Sequence, residues 1–314
     1  MSQERIEGSF VALITPMNSD GSIDYPSFRD LLQFQEQNGT AAVLICGSTG
    51  EVSMLSLEER KKIISETVRM KTGGMKFFYG CSGNNTDTAI EMVKFAGREG
   101  ADGAIVTAPP YIGAPVADAM EYYREVADAS DIPIGIYNNP PRVSTDLTAD
   151  AILELAKNPK FIVNKESTLR VGQAGLLARA NPDMSLMCCD SPNLGLVVPT
   201  MALGGHGTAN MSGNIAPAEM AVLSTPWHDP QQSVAFREMY LKLLPLLHFN
   251  YSAINPVAPK SLARALGLPA GPLRRPLRGL SPEKLQVGID ACRELGLIEK
   301  YGFKVADATR IAAE

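Results

Sequence analysis

The sequence of 314 residues is poor in the residues that announce metal, redox or nucleotide chemistry. Its three histidines, His206, His228 and His248, stand at no spacing that gathers them as ligands, so no metal site is expected. The five cysteines (Cys46, Cys81, Cys188, Cys189 and Cys292) form no Cys-x-x-Cys pair, which excludes a zinc ribbon and a thioredoxin-like motif. Four of them lie in or beside apolar runs, as buried thiols of a reducing compartment would. There is no P-loop and no Gly-x-Ser-x-Gly elbow, and Thr15-Pro16-Met17-Asn18 stands where a dinucleotide-binding turn would need glycines. No cofactor is therefore expected. No apolar run approaches the ~20 residues of a membrane span. The polar start Met1-Ser2-Gln3-Glu4-Arg5-Ile6-Glu7 lacks the apolar core of a signal peptide, so the expectation is a cytoplasmic protein without a membrane partner. With 29 Lys and Arg against 34 Asp and Glu and no basic run interleaved with aromatics, no nucleic-acid partner is expected either.

What the chain does have is alternation. Hydrophobic residues make up 45%, enough for a large core. Eight short runs read as strands: Ser9–Thr15, Ala41–Gly47, Lys76–Ser82, Gly103–Pro109, Pro133–Asn138, Phe161–Glu166, Met184–Asp190 and Gly205–Met211. Most are continuously apolar, as strands covered on both faces are. Helical patterns lie between them: Tyr25–Asn38, a run after the capping-box signature Ser56-Leu57-Glu58-Glu59, Thr86–Glu99 before Gly100, Val116–Ser130, Thr148–Lys157, Leu169–Ala180 and Pro192–Leu203. Eight such units predict an α/β fold of the (β/α)₈ barrel type over residues 1–225. After Pro226 the strand signals stop, and Pro230–Phe249, Pro256–Leu266 and Pro282–Leu297 read as helices. Residues 226–314 are thus expected as a C-terminal helical region packed on the barrel.

In a barrel of this type the chemistry sits at the C-terminal ends of the strands. Lys165 ends the sixth apolar run. Burial there would disfavour its ammonium and free an amine able to attack a ketone, giving a Schiff base. On spacing alone an ion pair with Glu166 or another carboxylate explains the same lysine. Tyr137 ends the fifth run, where its phenol could shuttle protons or simply pack in the core. The hydroxyls and turn amides of Gly47-Ser48-Thr49-Gly50-Glu51 could hold a carboxylate, although such a turn is common after any strand. Arg142 could grip a second carboxylate or lie solvated on its loop. Asn210 ends the eighth run. Cys81 lacks a nearby histidine base, and Gly204-Gly205-His206-Gly207 reads as a tight turn on the opposite, stability face.

Taken in order, six motifs resemble the pyruvate-dependent class I aldolase and lyase family of dihydrodipicolinate synthase and N-acetylneuraminate lyase. They are Gly47-Ser48-Thr49-Gly50-Glu51, Tyr137-Asn138-Asn139-Pro140-Pro141-Arg142, Val163-Asn164-Lys165-Glu166, Gly204-Gly205-His206-Gly207, Asn255-Pro256-Val257-Ala258-Pro259-Lys260, and Gly267-Leu268-Pro269-Ala270-Gly271-Pro272-Leu273-Arg274. The resemblance runs from about Gly8 to Leu297. It implies a lyase in which Lys165 condenses with pyruvate or another 2-keto acid, Tyr137 relays protons with Thr49 nearby, and Ser48 and Thr49 hold the pyruvate carboxylate. It also implies that Arg142 binds the carboxylate of an aldehyde substrate, with Asn210 in the substrate site, and that the protein is a homotetramer arranged as a dimer of dimers. Within the family the synthase branch is the leading expectation. Ile112, where a second tyrosine is usual, together with Ser48, Cys189 and Gly207-Thr208-Ala209-Asn210, departs from it. A 2-keto-3-deoxy-sugar-acid aldolase or a keto-acid dehydratase is the alternative, and a catalytically silent barrel with a binding role is the alternative of another class.

Overall fold

The computed structural model describes residues 5–309. Each expected apolar run contributes one strand: β1 (Gly8–Ala12), β2 (Ala42–Ile45), β3 (Lys76–Gly80), β4 (Gly103–Thr107), β5 (Ile134–Asn138), β6 (Phe161–Glu166), β7 (Ser185–Cys188) and β8 (Gly207–Asn210). Every strand pairs in parallel with the next, and β8 returns to β1 through the pairs Gly8↔Gly207 and Phe10↔Ala209. The sheet is therefore a closed barrel without an edge, and the (β/α)₈ expectation holds.

The strands are shorter than the apolar runs because the runs continue past the barrel rim. Residues 13–15 have left the sheet, and the Thr15 hydroxyl donates to the Gly50 carbonyl at 2.7 Å, joining the loops after β1 and β2. Helix ends follow their caps. Ser56 and Glu59 form the capping box expected of them, and Gly100 closes Thr86–Glu99 in the left-handed conformation. Three expected helices are corrected. Pro192–Leu203 is broken by Gly195 (φ +63°) into a 3₁₀ turn at Pro192–Leu194 and a helix at Val197–Ala202. Leu169–Ala180 begins only at Gln173. Pro282–Leu297 stops at Glu294, and a separate helix Leu297–Tyr301 starts beyond Gly296 (φ +71°).

Two apolar layers hold the barrel. Phe10, Leu44, Phe78, Ile105 and Met187 fill its lumen, with the Phe10 and Phe78 rings 5.2 Å apart edge to face. The larger layer lies between strands and helices and runs on into the C-terminal helices, where Leu243, Leu246 and Leu247 of Pro230–Asn250 are buried. That helical appendage is packed on the barrel rather than tethered to it.

Closure depends on the β8–β1 seam. Gly207 has φ +148°, and a Cβ there would lie 2.0 Å from the Gly8 carbonyl oxygen. Because the obstacle is backbone, no side-chain movement relieves it. Gly207→Ala is expected to destabilise the protein by roughly 3 kcal/mol or more, read as a lower urea midpoint against wild type; an unchanged midpoint would contradict the account of the seam.

Candidate active site

β5 and β6 pair so that Tyr137 faces Lys165 across the ladder and Asn138 faces Glu166. Side chains alternate between the faces of a strand, so the first pair shares one face and the second the other. Tyr137 belongs to the lumen cluster. The Lys165 Nζ lies 4.3 Å from the centre of the Tyr137 ring, and the residue is only 5% exposed. None of the ion pairs among the described residues includes Lys165. The expected rival explanation, an ion pair with Glu166, fails because adjacent residues of one strand point opposite ways.

Glu166 has its own cradle. Oε1 accepts from Asn138 Nδ2 (2.9 Å) and from the Ser167 and Thr168 amides (3.1 Å each), and Oε2 accepts from Gln173 Nε2 (2.9 Å). Burial pushes this carboxyl up to about 7, against the pull of those donors. The Asn138–Glu166 bond ties β5 to β6 on the face opposite Tyr137 and Lys165, so it fixes the register that brings the phenol and the amine together.

The turn after β2 is locked from the appendage. Glu51 adopts a left-handed conformation (φ +61°) and is 1% exposed. Its carboxylate receives the ammonium of Lys260, also 1% exposed, and the Arg274 amide at 2.8 Å; Lys260 donates as well to the Thr15 carbonyl at 2.8 Å. Breaking such a buried pair typically costs roughly 3–5 kcal/mol, so the turn carrying Ser48 and Thr49 is rigidly held. Thr49 is buried, and its Oγ1 accepts from Asn255 Nδ2 at 3.0 Å. The Asn255 carbonyl in turn accepts from Arg142 Nη2 at 3.0 Å.

A cleft of about 1000 Å³ opens at this end of the barrel, with Ser48, Ser82, Tyr137, Arg142 and Asn255 in its walls. The fold thus gathers five of the six expected site residues: Lys165 against Tyr137, Ser48 and Arg142 with Tyr137 around the cleft, and Thr49 joined to Arg142 through Asn255. Asn210 is placed apart from them. Its Nδ2 donates to Ser9 Oγ at 2.9 Å and its Oδ1 accepts from the Gly213 amide at 2.9 Å, so its polar atoms are engaged by the seam and the loop after β8. Burial pushes the Cys81 thiol up to about 12, which closes the nucleophile reading of that residue. His206 acts structurally, with Nδ1 accepting from the Leu186 amide at 3.0 Å.

Three side chains that contact the candidate site residues or the neighbouring loops went unnoticed in the sequence. Asn255 and Asn139 lie inside the quoted motifs without an assigned role, and Asn139 Nδ2 donates to the Tyr137 phenol oxygen at 2.7 Å. Tyr251, in the appendage, donates to Asp190 Oδ1 at 2.7 Å; no pattern in the sequence marks that contact.

Comparison with known proteins agrees with this geometry. The profile of the dihydrodipicolinate synthetase family matches residues 5–291. The 4-hydroxy-tetrahydrodipicolinate synthase of Leptothrix cholodnii is 36% identical over 296 residues, covering 93% of this chain and 99% of the relative. Among solved structures, dihydrodipicolinate synthase from Aquifex aeolicus superposes with a TM-score of 0.85 at 31% identity, over 95% of this chain and 99% of that one. The chloride-inhibited Acinetobacter baumannii enzyme, complexed with pyruvate, gives 0.85 at 29% identity, over 93% and 100%.

The Glu166 cradle has a consequence for stability. Because its folded carboxyl titrates near 7 and an unfolded glutamate near 4.5, the folded state holds the proton through that window. Stability from this group is fully present below pH 4.5 and is lost as pH rises through 7, by up to about 3 kcal/mol. Urea unfolding of wild type and Glu166→Gln at pH 5 and pH 8 should show the wild type losing ground to the variant at the higher pH; parallel behaviour would refute the shift.

Proposed function

Since the chain belongs to the dihydrodipicolinate synthetase family, we propose that it is a Schiff-base lyase of the 4-hydroxy-tetrahydrodipicolinate synthase type, joining pyruvate to a small aldehyde. The observation that carries this reading is the buried Lys165 amine, free of a carboxylate partner among the described residues and 4.3 Å from the Tyr137 ring. An amine attacks the ketone carbon of pyruvate, water leaves, and an iminium results. Loss of a methyl proton then gives an enamine whose carbon attacks the aldehyde, and the aldehyde oxygen takes up a proton. Each step moves a proton to or from the reacting atoms, and Tyr137 is the general acid and base within reach. Ser48 and Thr49, with the amides of their turn, hold the pyruvate carboxylate. Arg142 at the cleft wall is suited to a carboxylate on the aldehyde.

A second reading draws on the departures from the synthase branch. Ile112, Cys189 and the small residues Gly207-Thr208-Ala209 stand where the synthase branch usually carries other side chains, and Cys189 lies close enough to Lys165 to feel its charge. A 2-keto-3-deoxy sugar acid, cleaved or dehydrated through the same lysine, would use the same pyruvate half. No helix among the described residues is long and apolar enough to cross a membrane. A cytoplasmic location is part of the proposal, supported by five free, buried cysteines. So is a homotetramer, supported by the outward display of Tyr111 and Ile112 at the tip after β4.

Borohydride reduction in the presence of pyruvate, followed by mass spectrometry, tests the chemistry. A pyruvate adduct is expected on Lys165 and none on Lys165→Ala, and Tyr137→Phe should slow its formation by ~10²–10⁴-fold. Absence of the adduct from wild type would leave only a silent barrel. Turnover of aspartate semialdehyde with pyruvate is expected; turnover of a keto-deoxy sugar acid instead would select the second reading.

A further inference from the structure

Asn139 occupies the N-cap position of the short helix Pro140–Val143. An asparagine there normally turns its side-chain oxygen to an amide of the first helical turn. This one makes no such bond. The sequence explains why. The first two helical positions are Pro140 and Pro141, which have no N–H to offer. The next two amides, of Arg142 and Val143, already donate to the Asn139 backbone carbonyl. The carboxamide is left without a local partner, and it reaches back two residues, where its Nδ2 donates to the Tyr137 oxygen at 2.7 Å. Asn139 is 5% exposed, so water does not compete freely for that bond. Its neighbour Asn138 is wholly occupied elsewhere, with Glu166 and the Leu147 backbone.

We infer that Asn139 is a positioning residue for Tyr137, its amide N–H engaging the phenol oxygen so that the phenol proton is directed to the reacting atoms. With one lone pair of the oxygen taken by this donor, the O–H is turned away from Asn139. When the proton leaves during catalysis, the oxygen keeps a hydrogen bond instead of standing as a buried, unpaired charge. The Pro140-Pro141 pair offers the side-chain oxygen no N–H to cap, so capping does not hold the carboxamide and its Nδ2 can turn to the phenol. Amine, phenol and supporting amide are all supplied by β5, β6 and the first residue past β5, so this part of the relay is complete within one polypeptide. The inference rests on the roles proposed above for Lys165 and Tyr137.

The test is a double-mutant cycle on the rate of borohydride-trapped pyruvate adduct formation. Asn139→Leu should slow the reaction by about 10- to 100-fold, the effect of removing a hydrogen bond to a charged group. In a Tyr137→Phe background, which has no phenol oxygen to hold, Asn139→Leu should have almost no further effect. Asn139→Asp keeps the size and the buried position but presents only acceptors, so it should lose at least as much activity as the leucine variant. It also carries the test if Asn139→Leu fails to fold. Equal losses in both backgrounds, or a wild-type rate for Asn139→Asp, would overturn the inference while leaving the function standing. Absence of adduct in wild type would overturn both.

Discussion

A lysine held inside a ring of strands, without a carboxylate partner among the described residues, is the constraint to which the rest of the site answers. A carboxylate would clamp a buried lysine head group in an ion pair, whereas an aromatic ring holds it more weakly, by up to about 2 kcal/mol. Lys165 has the ring of Tyr137 beside it. The carboxylate next to it in sequence, Glu166, is carried to the other face of the strand and satisfied there by four N–H donors. One strand thus carries the candidate lysine and a structural carboxyl a single residue apart, kept from meeting by the pleat.

The C-terminal helices are part of the same arrangement. Lys260 anchors Glu51 and the Thr15 carbonyl, and Arg274 binds Glu59 with both terminal nitrogens at 2.7 Å. Tyr251 meets Asp190, and Asn255 meets Thr49. Residues between 251 and 274 therefore reach the loops after β1, β2 and β7 from outside the barrel. A strand end fixes where a residue starts, but the loop beyond it is free until something holds it. Here the appendage does so, and it places Asn255 between Thr49 and Arg142.

Much of this was legible in the sequence, for physical reasons. Strands covered on both faces must be apolar throughout, so runs such as Phe161–Val163 stand out, and their number and spacing yield a barrel. Strand ends then locate Lys165 and Tyr137, and six ordered motifs point to the family. Helix breaks were less legible, since Gly195 and Gly296 interrupt patterns whose apolar spacing continues across them. The Lys165–Glu166 question was open in the sequence because neighbouring letters say nothing about which face each side chain takes. Asn210 sits at a strand end like the others, but its hydrogen bonds turn it toward the seam.

The chain's own letters determined the repeating unit, the closed sheet, the lysine and the phenol, because hydrophobic periodicity and strand order are properties of short segments. Tertiary structure alone decided which polar groups meet. Register set Tyr137 beside Lys165, the Asn139 carboxamide met the phenol, and the turn between two C-terminal helices supplied the hold on Thr49. Such contacts depend on angles and distances accumulated over the whole fold, and no local pattern encodes them.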